Sequence, residues 1–441
     1  MPDCPDFLLE AVLTALVVGI WLGPFLLGIK RKAAVTIHPA GALPAFNVIV
    51  VLVAMSEHWF GWTHRGPTPG IRLETAYLQS DPYFFVTPLF FFALMGLFYH
   101  LGVWMTLGRI APCKTDRFHL DEPLPLARNI NGRRLFWTAA VTTVVCVVPF
   151  ICFGQESGFF WTVTLLMGID MIPVALSYYS LRAGIASTLL LAPLMFLFPS
   201  KQNFFYFLLP YALMRQGHLL GRGRISVAGL LAVGGGIMAV YLGTWTLIEM
   251  RDEVHEGESI GEYVLVREYG FETFSILVNK AQPFPTPGLP VWLASEVLEF
   301  IPQALVPFPK PRTGILVALA VMPRDAAYMA EAGFYKGFAF SAYIDYGLPG
   351  ALLWSLLFGA LFGSAYRKAQ AASLKHRAIW PLLVYLPLPL FSQFWAEGGL
   401  AFGGLFAISL ALVPFMLIRL SSRDAGPPPT LSIPAVQEEP T

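Results

Sequence analysis

At 441 residues, 56% hydrophobic, 13% charged and with a mean hydropathy of +0.61, the chain carries too little polar surface for a soluble globule and reads as a polytopic membrane protein. The net charge of +1, from 29 Lys+Arg and 28 Asp+Glu, argues against a nucleic-acid partner. Cys4, Cys113, Cys146 and Cys152 lack CxxC spacing and fall at different predicted membrane depths, which argues against a disulfide framework or a zinc site. No HExxH, GxSxG or Walker pattern occurs and the eight histidines are scattered, so no metal and no cofactor is expected.

A helix needs about 20 apolar residues to cross the hydrocarbon core. About eleven such stretches follow one another, near residues 7–29, 33–54, 83–106, 135–153, 158–178, 183–199, 204–219, 225–248, 343–365, 378–395 and 401–419. The first follows the acidic start MPDCPD, without a basic n-region or a cleavage site, and reads as a retained helix. Pro39 and Pro44 in the second stretch, and Pro381, Pro387 and Pro389 in the tenth, predict kinks. A first exposed loop, 55–82, carries Trp59, Trp62, His64, Arg65, Arg72 and Tyr77. The long loop 249–342 opens with eight acids and two arginines up to Glu272 and holds eight prolines between 281 and 312. Within it, 260–278 and 291–301 are expected to be short amphipathic helices. The chain thus divides into an N-terminal transmembrane bundle (1–248), the long extracytoplasmic loop (249–342), C-terminal transmembrane helices (343–419) and a disordered tail (420–441).

Alternate loops are unequally charged. One set holds 19 basic residues, among them Lys30-Arg31-Lys32, Arg109 to Arg134, Arg215 to Arg224 and Arg367 to Arg377, and the other set holds 10. The positive-inside rule puts the rich side in the cytoplasm, with the N-terminus and the long loop outside and the tail inside.

Several residues are candidates for chemistry. Lys201, in the outer hairpin Pro199 to Asn203, is either a snorkelling interfacial lysine or a point charge for a phosphate at the bilayer surface. Lys310, Arg312, Arg324 and Lys336 give 310–336 a local charge of +2 inside a loop of −5, and Arg312 follows the rigid Pro309-Lys310-Pro311. Arg267 falls mid-stripe among Ile260, Tyr263, Phe271, Phe274 and Val278. It either snorkels to headgroups or reaches a phosphate or sugar hydroxyl with its planar fork. Asp170 is an intramembrane carboxylate, with His100 or His38 as partner. Trp59, Trp62, Trp292 and Trp395 suit sugar stacking or an interfacial belt. Asp345, at the outer start of a predicted span, is either an acid/base group or a carboxylate favouring the helix dipole.

The Ser200-Lys201 turn before a span, the cytoplasmic Arg222-Gly223-Arg224, the large outer loop, and GFAFSAYIDYGLPGALLWSLLFGALFG from Gly337 to Gly363 resemble the O-antigen polymerase (Wzy-type) and oligosaccharide repeat unit polymerase families. The last segment is similar to the families' Tyr-x-(Asn/Asp)-aromatic-Gly-x-x-Gly pattern. Ser341 stands where those families often carry an acid. The histidine of the related O-antigen ligases is missing, with Lys336 the nearby basic residue, which weighs against a ligase.

The resemblance implies an all-α, GT-C-like integral protein of the bacterial cytoplasmic (inner) membrane, with its active side facing the periplasm or cell exterior. It implies a metal-independent inverting glycosyltransferase that polymerises undecaprenyl-diphosphate-linked oligosaccharides into a surface polysaccharide such as an O-antigen or exopolysaccharide. Lys201, Arg312, Arg324 and Arg267 would bind the diphosphate, Lys336 and Tyr343 the glycan, and Asp345 would be catalytic. Membrane lipids and a chain-length regulator are the implied partners. A lipid-linked glycan or solute transporter, an O-antigen ligase-like enzyme and a non-catalytic scaffold are the alternatives.

Overall fold

The computed structural model describes residues 7–31, 38–60, 83–113, 131–153, 270–279, 307 and 338–374. These contain the helices α1 (Phe7–Lys30), α2 (Ala42–Phe60), α3 (Val86–Leu107), α4 (Gly132–Phe153), α5 (Gly270–Asn279) and α6 (Phe338–Leu374), and no strand occurs among the described residues. Phe7–Gly28, Val86–Leu107 and Tyr346–Lys368 are long and apolar enough to cross a membrane, in keeping with an all-α membrane protein. The predicted spans at 158–178, 183–199, 204–219, 225–248, 378–395 and 401–419 lie outside the described residues.

The second predicted span is displaced. It was expected over 33–54, whereas α2 covers Ala42–Phe60. Residues 38–41 form a buried turn instead, in which the Gly41 amide donates to the His38 carbonyl at 2.8 Å and the Ala40 amide to His38 Nδ1 at 3.1 Å. Apolar composition there reflects burial of a turn, not a crossing. Pro39 sits in that turn and Pro44 in the first turn of α2, where a missing N–H removes no helical bond. The kinks expected of them are absent. Trp59, assigned to the loop 55–82, stands on α2.

Specific contacts fix how the helices run. Glu10 near the start of α1 meets His58 and Trp59 near the end of α2, so these two helices are antiparallel. His58 packs on Phe85, just ahead of α3, and the Tyr99 hydroxyl donates to the Pro39 carbonyl at 2.7 Å. Hence α3 also opposes α2 and runs parallel to α1. Midway, Trp21 of α1 lies against α3, its indole N–H donating to the Phe92 carbonyl at 3.1 Å and its ring stacked on Phe92 with centroids 5.1 Å apart.

The pairing of α3 with α6 is close and parallel. A Cβ added at Gly102 would collide with the Leu356 carbonyl and come 2.7 Å from the Ala360 amide; one added at Gly359 would collide with the Tyr99 carbonyl. Small residues let the two backbones touch, the usual means of helix association where no solvent drives it. Leu353, Leu357 and Leu361, at steps of four on another face of α6, are exposed, as lipid-facing side chains are. At one end of this parallel set stand Lys30 and Arg31, Arg109, and Arg367, whose guanidinium donates to the Thr106 carbonyl at 3.4 Å. The basic residues thus gather at a single end of α1, α3 and α6.

Helix α6 is broken near its other end. Gly347 adopts φ 62°, ψ −150°, a conformation available almost only to glycine. Pro349, two residues on, has no N–H to continue the ladder. The helix therefore divides into a short stretch, 338–346, and a long one, 348–374. The first begins ahead of residue 343, where the sequence predicted the span to start.

Candidate functional site

The residues with most chemical potential lie at the end of the bundle opposite the basic cluster, where three segments distant in sequence meet. Pro88 in the first turn of α3 cannot donate to the Phe84 carbonyl. The Asn279 side-chain amide donates to that carbonyl instead, at 2.7 Å. In this way α5, part of the long loop, is pinned to the start of α3.

The apolar stripe of α5 faces inward. Phe271 and Phe274 are buried, and Val278 packs against the same core. Phe271 stacks on Phe85 with centroids 6.1 Å apart, and Phe274 meets the Tyr343 ring edge-on at 5.6 Å. Tyr343 also packs on Phe91 at 6.3 Å. Since His58 lies 4.7 Å from Phe85 and Phe271 lies 6.5 Å from Phe274, an unbroken series of rings runs from His58 on α2 through α5 to Tyr343. Just beyond Tyr343 is the break at Gly347.

At the α2 end of this series is a carboxyl–imidazole pair. Glu10 is 3% exposed. Its Oε2 accepts the Trp59 indole N–H at 2.9 Å and stands 3.4 Å from His58 Nε2. Phe7 meets the Trp59 ring edge-on at 5.3 Å, closing the apolar side. The His58 side chain retains 18% exposure. A carboxyl held in this way orients an imidazole.

A second polar group is interior. Thr14 Oγ1, both amide atoms of Asn47 and both ring nitrogens of His100 are buried without a hydrogen-bond partner. His100 lies 6.0 Å from the Trp21 ring. Pro24 within α1 leaves the Ile20 carbonyl without its helical donor, and that carbonyl lies near His100. Asn47 precedes His58 by the eleven residues that separate Glu10 from Trp21. At 1.5 Å per residue, about 16 Å in all, Asn47 stands at the depth of Trp21 and His100.

Of the residues picked out from sequence, Tyr343 is in the ring series described above, and Asp345 lies on α6 two residues before the break. Lys201, Arg267, Arg312, Arg324, Lys336 and Asp170 lie outside the described residues, as do Trp62, Trp292 and Trp395. Trp59 is engaged by Glu10. Sequence reasoning passed over Glu10 and His58. The available signal was a lone carboxyl one turn into an otherwise apolar span, which marks a functional candidate on the same grounds as Asp170. No protein-family model, no curated protein and no solved structure matches the chain.

Proposed function

We propose that this chain is a polytopic glycosyltransferase of the bacterial cytoplasmic membrane that polymerises undecaprenyl-diphosphate-linked oligosaccharide repeat units at the outer membrane face. The observation that carries the proposal is the junction at one end of the bundle. There the Tyr343–Gly350 segment, which bears the resemblance to repeat-unit polymerases, breaks the helix at Gly347. It packs through Tyr343 on a helix of the long loop. A transferase of this kind needs its loop and its motif at one membrane face, and the basic residues of α1, α3 and α6 are at the other, as the positive-inside rule requires.

The chemistry follows from the substrates. As the glycosidic bond to the diphosphate breaks, negative charge grows on the leaving group. Fixed cations at the lipid surface stabilise it; Lys201 and Arg312 are assigned that role, with Arg324 and Arg267 in support. A base beside the acceptor hydroxyl removes its proton. Two lipid anchors confine both substrates to one plane, so orientation supplies much of the remaining rate enhancement. A chain-length regulator in the membrane is the expected protein partner.

The test is the size distribution of surface glycan in a deletion strain complemented with Lys201→Ala or Arg312→Ala. Each variant should give single repeats at unchanged protein level. Wild-type chain lengths in both would remove the diphosphate assignment.

A lipid-linked glycan or solute transporter is the second reading, favoured by the unpartnered Asn47 amide deep in the bundle, a feature that suits a midplane site. Loss of all surface glycan on deletion, including single capped repeats, would select it.

A further inference from the structure

The Glu10–His58 pair invites a chemical role, because a buried ionisable pair contributes little to stability over an apolar packing of the same volume. A pair kept for fold alone would also have no reason to leave the imidazole partly open, yet the His58 side chain is 18% exposed while the Glu10 side chain is buried. Its Nε2 faces Glu10 and its ring rests on Phe85, so the ring is held from two sides. Nδ1 is the ring nitrogen that does not face the carboxyl. Trp59 holds the other side of the carboxyl, so Glu10 has little freedom to turn away. The ring series then ties this pair to Tyr343 and to the loop helix.

We propose that His58 is the base that activates the acceptor sugar hydroxyl and that Glu10 is its positioning residue, an inference that rests on the polymerase reading above. In the step, His58 Nδ1 takes the proton of the acceptor hydroxyl as that oxygen forms a bond to the anomeric carbon of the donor. The bond from that carbon to the diphosphate oxygen breaks, and its electron pair leaves with undecaprenyl diphosphate. Imidazolium, steadied by Glu10, returns the proton to water. No redox change occurs and no co-reactant is required.

The experiment uses the full-length protein reconstituted in vesicles with the lipid-linked repeat units that accumulate in its deletion strain. His58→Ala, Glu10→Gln and Leu357→Ala are compared with wild type by initial rate of glycan elongation, and folded protein is measured by thermal melting. The expected result is at least a hundredfold loss for His58→Ala, partly restored by added imidazole, and at least a tenfold fall in kcat for Glu10→Gln at unchanged KM. Leu357→Ala, on the exposed face of α6, should stay within threefold of wild type. Wild-type rates in folded His58→Ala would overturn the proposal, and so would a loss that imidazole does not reverse and that follows the fall in folded protein. Failure of the wild-type protein to elongate the repeats would instead sink the polymerase reading on which the proposal rests.

Discussion

Substituting Gly359 by alanine tests the account of the α3–α6 crossing with a single methyl group. The added Cβ would lie 2.9 Å from the Tyr99 carbonyl carbon and 3.0 Å from the Val103 amide nitrogen, where ordinary contact begins near 3.4 Å. Neither neighbour is a flexible side chain, so the two backbones must separate by about half an ångström, and more at the Tyr99 carbonyl oxygen. Overpacking of this kind costs about 1–3 kcal/mol. The same displacement carries Tyr99 away from the Pro39 carbonyl, a buried hydrogen bond of 2.7 Å, which adds about 1 kcal/mol. Gly359→Ala should therefore lose about 2–4 kcal/mol, measured by reversible unfolding in mixed micelles, while Leu357→Ala, an exposed neighbour on α6, should stay within about 0.5 kcal/mol of wild type. A Gly359→Ala protein as stable as wild type would refute the idea that backbone proximity holds this pair together.

Asn279→Ala should cost about 1–2 kcal/mol by leaving the Phe84 carbonyl unbonded; in a Pro88→Ala background, where the helix supplies its own donor, a double-mutant cycle should show most of that loss gone. Gly347→Ala should cost about 1–3 kcal/mol and shorten the polymer at equal protein level, because the break ends the short helical stretch that carries Tyr343; full-length polymer would separate the break from function. Arg267→Lys should shorten chains if the guanidinium makes a two-pronged contact with phosphate or sugar hydroxyls, whereas normal lengths in a well-expressed protein would assign Arg267 to headgroup snorkelling. Single-cysteine labelling from outside should modify residue 258 and not residue 119, and the reverse pattern would invert the topology.

Where apolar runs were bounded by charge, the sequence located helices to within a few residues: Lys30 closes α1 and Arg133 opens α4, and hydropathy marks such boundaries well. It misplaced the start of α2 because a buried turn and a membrane crossing have the same composition. His38, Pro39 and Ala40 are buried by packing against Tyr99 and Tyr366, contacts more than 50 residues away that no local window contains. The same blindness hid the Glu10–His58 pair, since His58-Trp59 reads as the exit from a span until a carboxyl 48 residues earlier is brought against it. The stripe on α5 was legible as periodicity, but periodicity does not say what it faces. Phe271 and Phe274 turn toward Phe85, Phe92 and Tyr343, so at those positions the stripe meets protein, not headgroups. The motif at Tyr343 to Gly350 was visible in sequence, whereas the break inside it follows from a backbone angle at Gly347 that glycine permits without announcing.

The central claim is that this chain joins lipid-linked repeat units. Its most direct test is to reconstitute the purified wild-type protein in vesicles with the single-repeat lipids that accumulate in its deletion strain, add no nucleotide sugar and no divalent metal, and resolve the glycans by size. The account predicts a ladder of lengthening chains, with one undecaprenyl diphosphate released for each bond formed, unchanged by a chelator. Repeats that remain single while the protein is folded, or that move across the vesicle membrane without joining, would contradict it.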